Sequence, residues 1–275
     1  MGDQPKVDEP AQATLKTLVE QTPRDLGLPY SVWNCLELAK SLGRRGHALV
    51  SDETVRRHLH QLDYRIIRPV LSIASPDPEF KRKVAHLAAC QELARQGQLI
   101  LLYEDEVDLN LLPGIVGCWT RRGQQRKVPT PGQNVKRYGF GALNFMSGQL
   151  TTVIKERKNS DSFCQLLEQI VTSYCPDDNY TGPKIGLVLD NYIIHRSKKS
   201  QKLLAKYADR LFLIPLPTYA PKLNLIELLW KHLRRQVTHN HLFETITDLV
   251  EAVEQFFCRL NANRSEVLSV IGSSA

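Results

Sequence analysis

Three acidic residues lie at the ends of predicted secondary-structure elements, where their side chains would be free to bind a ligand. Asp190 ends one apolar run, Asp105 lies at the acidic end of another, and Glu227 lies near the start of a predicted helix. Hard cations such as Mg²⁺ are bound by one or two carboxylates each, together with phosphate oxygens and water. Two such ions about 3.5 to 4 Å apart activate a water or a hydroxyl group for displacement at phosphorus and stabilise the leaving oxygen. Three carboxylates are sufficient for a site of this kind.

Each of these acids also has an ordinary structural interpretation. Asp105 could be an exposed residue between two other acids at a strand end, and Asp190 could cap the helix that follows it. Glu227 could be a helix-start carboxylate that the helix dipole favours. We favour a shared site, because three independent causes would otherwise have to place all three acids at neighbouring edges of the fold.

The segment 99–107 predicts a strand whose apolar half runs into the acids Glu104, Asp105 and Glu106. Unpaired buried carboxylates are strongly destabilising, so these three acids cannot all be core residues. Because side chains alternate across a strand, Asp105 is expected to point away from the face that Glu104 and Glu106 share.

The segment 185–189 predicts a buried strand that leads directly to Asp190. An acid in this position lies where open α/β sheets bind their ligands. Basic residues follow at once, at Arg196, Lys198 and Lys199. A carboxylate beside several cations indicates an anionic polymer held near a metal site.

The order of the predicted elements indicates an α/β fold. Strands are predicted at 99–107, 138–145, 149–157, 185–189 and 211–215, and helices at 160–174, 195–207, 223–237 and 245–260. This order is typical of a ribonuclease H-like mixed sheet flanked by helices, in which an antiparallel hairpin is extended by parallel strands.

The N-terminal part predicts a small all-α domain after a frayed leader at 1–11. One helix is predicted at 13–20, one at 32–42 with Ser31 as its cap, and one after Ser51. The last helix has four polar residues outside its apolar stripe, namely Arg56, Arg57, His60 and Gln61. This pattern favours a helix-turn-helix that enters the major groove of DNA, although a helical bundle with a solvated basic face would look similar.

Length, charge and the Ser-Pro-Asp-Pro break lead to three predicted segments and one class of partner. They are a helix-turn-helix DNA-binding domain at 1–75, a linker helix at 76–98 and a catalytic domain at 99–275.

The formal charge of +7 favours nucleic acid or another anionic partner. Neither a membrane span nor a secretory signal is visible in the sequence, so we expect a cytoplasmic, nucleoid-associated protein. The six cysteines form no CxxC pair, which argues against a zinc ribbon or a disulfide framework.

Four sequence blocks, in this order, resemble those of mariner-superfamily transposases, specifically the bacterial insertion-sequence branch with a DDE endonuclease domain. The blocks are LLYEDEVDLNLLPGIVGCWTRRGQ, YGFGALNFMSGQL, LVLDNYIIHRSKK and LPTYAPKLNLIELLW. The resemblance covers about residues 24–240. It implies a ribonuclease H-like fold, two Mg²⁺ or Mn²⁺ ions, and cleavage of double-stranded DNA at transposon ends. It also implies joining of those ends to target DNA, with a homodimer bringing two ends together.

The resemblance assigns the catalytic, metal-binding triad to Asp105, Asp190 and Glu227. Nearby polar residues resemble supporting groups or DNA contacts in the family blocks, namely Asn191, His195 and Asn224. For His195, a helix-start histidine without chemistry is an equally good interpretation.

Trp119, followed by Arg121 and Arg122, resembles the family's W-x-x-x-G segment. It is interpreted as a packed indole beside a basic hairpin that contacts DNA. Trp230, at the end of the last block, is expected to be a core residue.

Two departures from the family pattern leave alternatives open. Leu225 replaces a proline that is common after the asparagine of the last block. The family also usually places another DNA-binding helical unit before the one predicted here. A truncated copy, a frameshift product and a complete short variant are therefore all considered. A catalytically silent DNA-binding relic that represses its own element, and a nuclease acting on RNA hybrids, are the alternative functions.

Overall fold

The computed structural model describes residues 7–67, 69, 75–177 and 179–272. The chain divides into two compact units, Met1–Ser72 and Ile73–Ala275. Among the helices of the described residues, none has the length and the apolar character that a membrane span requires.

The first unit contains three α-helices within its described residues, α1 (Glu9–Glu20), α2 (Cys35–Arg44) and α3 (Asp52–Gln61). A 3₁₀ turn, Pro23–Leu26, follows α1. Apolar side chains from all three helices form a small core that includes Leu15, Leu18, Leu38, Leu42 and Val55. The predicted all-α character of this region is confirmed.

α1 begins before the position that the sequence predicts. The carboxylate of Asp8 accepts a hydrogen bond from the backbone N–H of Ala11 at 2.9 Å and thereby caps the helix. Val7 is buried as well. The prediction of a frayed leader is therefore wrong for residues 7–11, and residues 1–6 lie outside the described residues.

α2 begins three residues later than predicted, because Asn34 rather than Ser31 is its cap. The side chain of Asn34 accepts a hydrogen bond from the backbone N–H of Glu37 at 2.8 Å. Val32 and Leu36 are 58% and 53% exposed, so the apolar face predicted through them is wrong. The buried apolar face consists instead of Leu38, Ala39 and Leu42.

α3 begins where the sequence predicts. Ser51 Oγ accepts a hydrogen bond from the backbone N–H of Thr54 at 3.2 Å. Val55 is fully buried, and Leu59 and Leu62 pack against the same core. The predicted apolar stripe of this helix is confirmed.

In the described part of the second unit, five strands form a mixed sheet. They are β1 (Leu99–Asn110), β2 (Lys136–Asn144), β3 (Leu150–Lys155), β4 (Lys184–Leu189) and β5 (Leu211–Pro215). The strand order is β3-β2-β1-β4-β5. The pairs β1–β2 and β2–β3 are antiparallel, whereas β1–β4 and β4–β5 are parallel. An antiparallel meander extended by parallel strands confirms the predicted ribonuclease H-like sheet.

Helices cover both faces of this sheet. In the described residues they are α4 (Phe80–Arg95), α5 (Ser160–Tyr174), α6 (Lys198–Lys206), α7 (Ile226–Leu233), α8 (Ile246–Ala262) and α9 (Arg264–Ile271). Side chains alternate along each strand, so Leu102 and Leu187 pack toward α5 and α6. Leu101 and Val188 belong to the other core, which α4, α7, α8 and α9 complete.

The helix predicted as a linker, α4, lies within the second unit. Its side chains Leu87, Cys90 and Ala94 are buried in the core beside β1. A helix with a buried face of this kind contributes to the stability of the unit.

Two predicted helices differ in their bounds. The helix predicted at 195–207 starts as a 3₁₀ turn, Ile193–Arg196, because Ser197 caps α6 only afterwards. The helix predicted at 223–237 becomes α7 followed by a π-helical turn, Arg234–Thr238. α9 is an additional helix that was not predicted from the sequence.

Candidate active site

Asp105, Asp190 and Glu227 line one open cleft with a volume of about 430 Å³. β1 supplies Asp105, the segment directly after β4 supplies Asp190, and the first turn of α7 supplies Glu227. β1 and β4 are neighbouring parallel strands, so their carboxyl ends lie at the same edge of the sheet. The segment 216–221, which follows β5, contributes much of the remaining lining. The fold therefore brings together the three acids that the sequence predicts as a set.

The carboxylate of Asp105 is mostly buried and lies close to other negative charges. Burial, followed by the negative charge of Glu227, raises the pKa of Asp105 to about 7. The charges of Glu106 and Asp190 act in the same direction, whereas a backbone hydrogen bond from Glu106 lowers the pKa. Gathering these carboxylates is therefore unfavourable unless a cation or a proton accompanies them.

Trp230 on α7 fixes the position of Asp105. The indole Nε1–H donates a hydrogen bond to Asp105 Oδ2 at 3.1 Å, while the ring itself is buried in the core. Gly141 on β2 pairs with Asp105 in the strand register. A Cβ atom at Gly141 would lie 2.6 Å from Cη2 of the indole, so only glycine leaves room for the ring. The sequence predicts Trp230 as a core residue and does not reveal this contact.

Asp190 is open to solvent, with 56% of its side chain accessible. Its Oδ1 accepts a hydrogen bond from the backbone N–H of Tyr192 at 2.8 Å. The neighbouring Asn191 lines the same cleft, and its Nδ2 donates to the backbone oxygen of Leu216 at 3.1 Å. Arg196 Nη2 donates to Asn191 Oδ1 at 2.7 Å. These bonds join the segment after β4 to the segment after β5.

A second group of ionisable side chains lies on the opposite face of β1. His195 Nε2 is 3.5 Å from Glu104 Oε2 and 3.5 Å from Glu106 Oε1. Lys158 Nζ is 3.4 Å from Glu106 Oε2. Burial, reinforced by the charge of Glu106, raises the pKa of Glu104 well above its usual value. Because Glu104, Glu106 and His195 are all buried, a DNA phosphate cannot reach them.

The predicted supporting residues differ in position: Asn224 lines the cleft, whereas His195 is buried outside its lining. His195 Nδ1 is 3.3 Å from the backbone oxygen of Asp190. Asn224 Nδ2 donates a hydrogen bond to the backbone oxygen of Glu104 at 2.8 Å, which joins the start of α7 to β1. Asn224 thus contacts β1 from the turn that precedes Glu227, and buried His195 lies beside the backbone of Asp190.

The residues predicted to bind DNA in the first unit are all accessible on α3, namely Arg56, Arg57, His60 and Gln61. Arg56 forms two hydrogen bonds of 2.7 Å with the carboxylate of Glu53, one turn earlier on the same helix. A phosphate would have to replace Glu53 as its partner.

Trp119, Arg121 and Arg122 lie between β1 and β2 in a segment whose residues 114–127 are exposed throughout. Trp119 is 99% exposed, so the prediction of a packed indole is wrong. The two arginines are accessible to an anionic partner.

The donor set of the cleft fits divalent cations. Three carboxylates line it, and burial together with the nearby charge of Glu227 raises the pKa of Asp105. Oxygen ligands of this type are those that Mg²⁺ and Mn²⁺ prefer.

Residues 100–250 match the family described as DDE superfamily endonuclease. The chain is also 34% identical over 244 residues to the Insertion element IS630 uncharacterized 39 kDa protein of Shigella sonnei. That alignment covers 88% of this chain and 68% of the Shigella sonnei protein.

Two solved structures share the fold. The Mos1 transposase paired-end complex with left transposon end has a TM-score of 0.63 at 14% identity, covering 99% of this chain and 81% of that one. The Mos1 mariner paired end complex with Mn has a TM-score of 0.63 at 13% identity, covering 99% and 79%. At such low sequence identity, this structural likeness establishes the fold alone.

Proposed function

The chain belongs to the DDE superfamily endonucleases, and on this premise we propose that it is a transposase of the IS630 and mariner type. It would cut double-stranded DNA at transposon ends and join those ends to target DNA by metal-dependent phosphoryl transfer. The observation that carries this proposal is the convergence of Asp105, Asp190 and Glu227 on one open cleft from three different elements.

Accessibility supports the assignment of these three acids as the catalytic set. A scissile phosphate has to approach the metal ligands closely, and the cleft is open to solvent beside the half-exposed Asp190. The carboxylates on either side of Asp105, Glu104 and Glu106, are buried on the opposite face. Strand alternation thus separates the acid that a substrate can reach from its two neighbours.

We assign two divalent ions, Mg²⁺ or Mn²⁺, to Asp105, Asp190 and Glu227. When bound, such ions supply Lewis acidity at the scissile phosphate. The protein's own groups orient the ligands: the indole of Trp230 holds Asp105, and the backbone N–H of Tyr192 holds Asp190. The solved Mos1 complex with Mn, which has the same fold, is consistent with this choice of ion.

We assign DNA binding to two exposed basic surfaces. In the first unit, α3 presents Arg57 and, once it leaves Glu53, Arg56 to phosphates or base edges. In the second unit, the exposed segment after β1 presents Arg121 and Arg122. A homodimer would hold two transposon ends, in keeping with the paired-end complex of the Mos1 transposase.

A plasmid-nicking assay tests the proposal. Supercoiled plasmids carrying candidate transposon ends are incubated with Mg²⁺ and with the wild type, Asp190→Asn or Asp108→Asn. Asp108 lies three residues beyond Asp105 on β1, does not line the cleft, and serves as the matched control. We expect nicking by the wild type and by Asp108→Asn, and its loss in Asp190→Asn.

Equal nicking by Asp190→Asn would remove this residue from the catalytic set. Specific binding to the ends without any metal-dependent product in the wild type would instead favour a DNA-binding repressor. Cleavage of RNA–DNA hybrids in preference to duplex DNA would favour a hybrid nuclease.

A further inference from the structure

The buried group behind the cleft has the composition of a metal site. Glu104, Glu106 and His195 each present one carboxylate oxygen or imidazole nitrogen, and these atoms all lie within 4.8 Å of one another. The three residues are only 0%, 8% and 3% exposed. They come from β1 and from the 3₁₀ turn after β4, and are not among the residues that line the cleft.

The polar atoms of this group lack hydrogen-bond partners. Both carboxylate oxygens of Glu104, Oε1 of Glu106 and Nε2 of His195 are buried without one. A buried polar atom without a partner is destabilising, and a buried charged group without one is more so. Several such atoms that face one another indicate a positively charged ligand shared between them.

The orientation of His195 leaves one nitrogen free to bind a cation. Nδ1 lies 3.3 Å from the backbone oxygen of Asp190. A carbonyl oxygen only accepts hydrogen bonds, so this contact favours the tautomer of His195 that carries its proton on Nδ1. In a neutral imidazole, Nε2 then presents its lone pair to the two carboxylates. Histidines that bind metals are held in the same way, with the second nitrogen donating to a carbonyl or a carboxylate.

The spacing of the donor atoms matches the coordination of a small divalent ion. Zinc lies about 2.0–2.2 Å from nitrogen and oxygen ligands, so its tetrahedral ligands are about 3.3–3.6 Å apart. His195 Nε2 is 3.5 Å from an oxygen of Glu104 and 3.5 Å from an oxygen of Glu106. These separations exceed a good hydrogen bond, and they fit two ligands on one ion.

Lys158 contacts only one of the two buried glutamates. Its Nζ is 3.4 Å from Glu106 Oε2, and within the described residues it forms no ion pair with Glu104. In the described part of the chain, the carboxyl group of Glu104 therefore has no cationic side chain as a direct neighbour other than His195, and a bound cation would supply one.

We propose that Glu104, Glu106 and His195 form a separate cation site for a divalent transition-metal ion, Zn²⁺ or Mn²⁺. One imidazole and two carboxylates suit these ions better than Mg²⁺, which prefers oxygen ligands. The ion would hold His195, whose Nδ1 in turn contacts the backbone of Asp190. The site therefore braces the segment that carries the open acid of the cleft.

Metal content in a variant with a disabled cleft tests the proposal. The triple variant Asp105→Asn, Asp190→Asn, Glu227→Gln removes the carboxylates of the cleft and retains the buried group. The full chain is produced with Zn²⁺ or with Mn²⁺, dialysed against a weak chelator, and its bound metal is measured by elemental analysis. We expect one retained ion per chain in this background and none after the further change His195→Gln or Glu106→Gln.

The matched control is His232→Gln in the same background. His232 Nε2 lies 3.0 Å from Glu266 Oε1, so it is another partly buried histidine paired with a glutamate, away from both sites. It should retain the ion. Co²⁺ substitution provides a second readout, because a visible absorption band of Co²⁺ should depend on His195 and not on His232.

Three results would overturn the proposal. No retained ion in the triple variant would mean that protons and Lys158 alone satisfy the buried group. Retention in both His195→Gln and Glu106→Gln would identify an adventitious ion only. Loss of the ion in His232→Gln would show that the signal follows general destabilisation. None of these measurements depends on DNA cleavage. The proposal of a cation site is therefore tested independently of the proposed transposase activity.

Discussion

The indole Nε1–H of Trp230 donates a hydrogen bond to Oδ2 of Asp105 at 3.1 Å, across 125 positions of the sequence. Trp230 is buried to 1% exposure, so the same ring that packs α7 onto the sheet also orients an acid of the cleft. Packing between α7 and β1 is thereby linked to the geometry of the proposed metal site.

Replacing Trp230 with phenylalanine should weaken metal binding more than it disturbs the fold. Trp230→Phe keeps an aromatic ring in the core and removes the N–H donor. Hydrogen bonds to charged groups contribute about 1.5–3 kcal/mol. We expect Mn²⁺ affinity, measured by titration calorimetry, to fall about tenfold, which corresponds to about 1.4 kcal/mol.

The control for this change is Trp33→Phe. Trp33 also donates an indole hydrogen bond, to the backbone oxygen of Gln21 at 2.9 Å, but in the first unit. It should leave Mn²⁺ affinity unchanged. Equal affinity in Trp230→Phe and the wild type would show that the indole does not position Asp105.

Removing the ionisable group at Asp105 should stabilise the metal-free protein at high pH. The folded chain raises the pKa of Asp105 from 3.8 to about 7 and therefore binds more protons than the unfolded chain between these values. The contribution of this carboxyl group to the free energy of unfolding therefore falls as the pH rises from about 4 to about 7. Asp105→Asn should gain about 2–4 kcal/mol at pH 8 and nothing near pH 4.

Urea unfolding in the presence of a chelator measures this difference at pH 4, 6 and 8. Asp108→Asn, on the same strand outside the cleft, should show no comparable pH-dependent gain. A stability difference for Asp105→Asn that is the same at every pH would refute the linkage to its carboxyl group.

The exposed arginines of α3 should control DNA affinity without affecting the metal site. Arg56→Ala with Arg57→Ala should weaken binding and reduce the slope of log affinity against log salt by about one to two. Of the two single variants, Arg57→Ala should weaken DNA binding more than Arg56→Ala, because Arg56 is already paired with Glu53. Fluorescence anisotropy with labelled end DNA at several salt concentrations measures the affinity and its salt dependence.

Lys16→Ala, an exposed cation on α1, is the control within the first unit. Calorimetric Mn²⁺ binding by the double arginine variant should equal that of the wild type. Loss of metal binding would mean that the two changes act through the fold and not through DNA contacts.

The side chain of Asn191 should hold the segment after β4 against the segment after β5. Asn191→Ala removes the hydrogen bond to the Leu216 backbone and the acceptor for Arg196, which together should cost about 1–2 kcal/mol. We expect faster amide hydrogen exchange in residues 216–221 and slower plasmid nicking, with DNA affinity unchanged.

A second bridging asparagine serves as the control for this change. Asn134 Nδ2 donates to Asn110 Oδ1 at 3.0 Å, outside the cleft. Asn134→Ala should leave exchange at 216–221 as in the wild type. Unchanged exchange there in Asn191→Ala would argue against the proposed bridge.

Much of the fold follows from local sequence patterns. The buried runs that become β4 and β5, and the Ser51 cap of α3, are readable because each depends on neighbouring residues. The start of α2 is not readable in this way. Ser31 and Asn34 are both good caps, and the apolar side chains of Val32 and Leu36 remain exposed, so tertiary packing decides between the two caps.

The site shows the same division between local and long-range information. Strand alternation predicts that Asp105 points away from Glu104 and Glu106, because it depends on one strand alone. No local pattern pairs these two glutamates with His195, which reaches them only through the parallel pairing of β1 with β4. The contact between Trp230 and Asp105 likewise depends on how α7 crosses the sheet.

The bare backbone of Gly141 has an evolutionary consequence. A methyl group at this position would displace the Trp230 ring, so a larger residue at position 141 requires a change at position 230. A relative with alanine at the first position should carry a smaller ring at the second and so lose the indole donor. Such a relative would need a different hydrogen-bond donor for the acid at position 105. The absence of a side chain at position 141 on β2 therefore determines which ring α7 can carry at position 230.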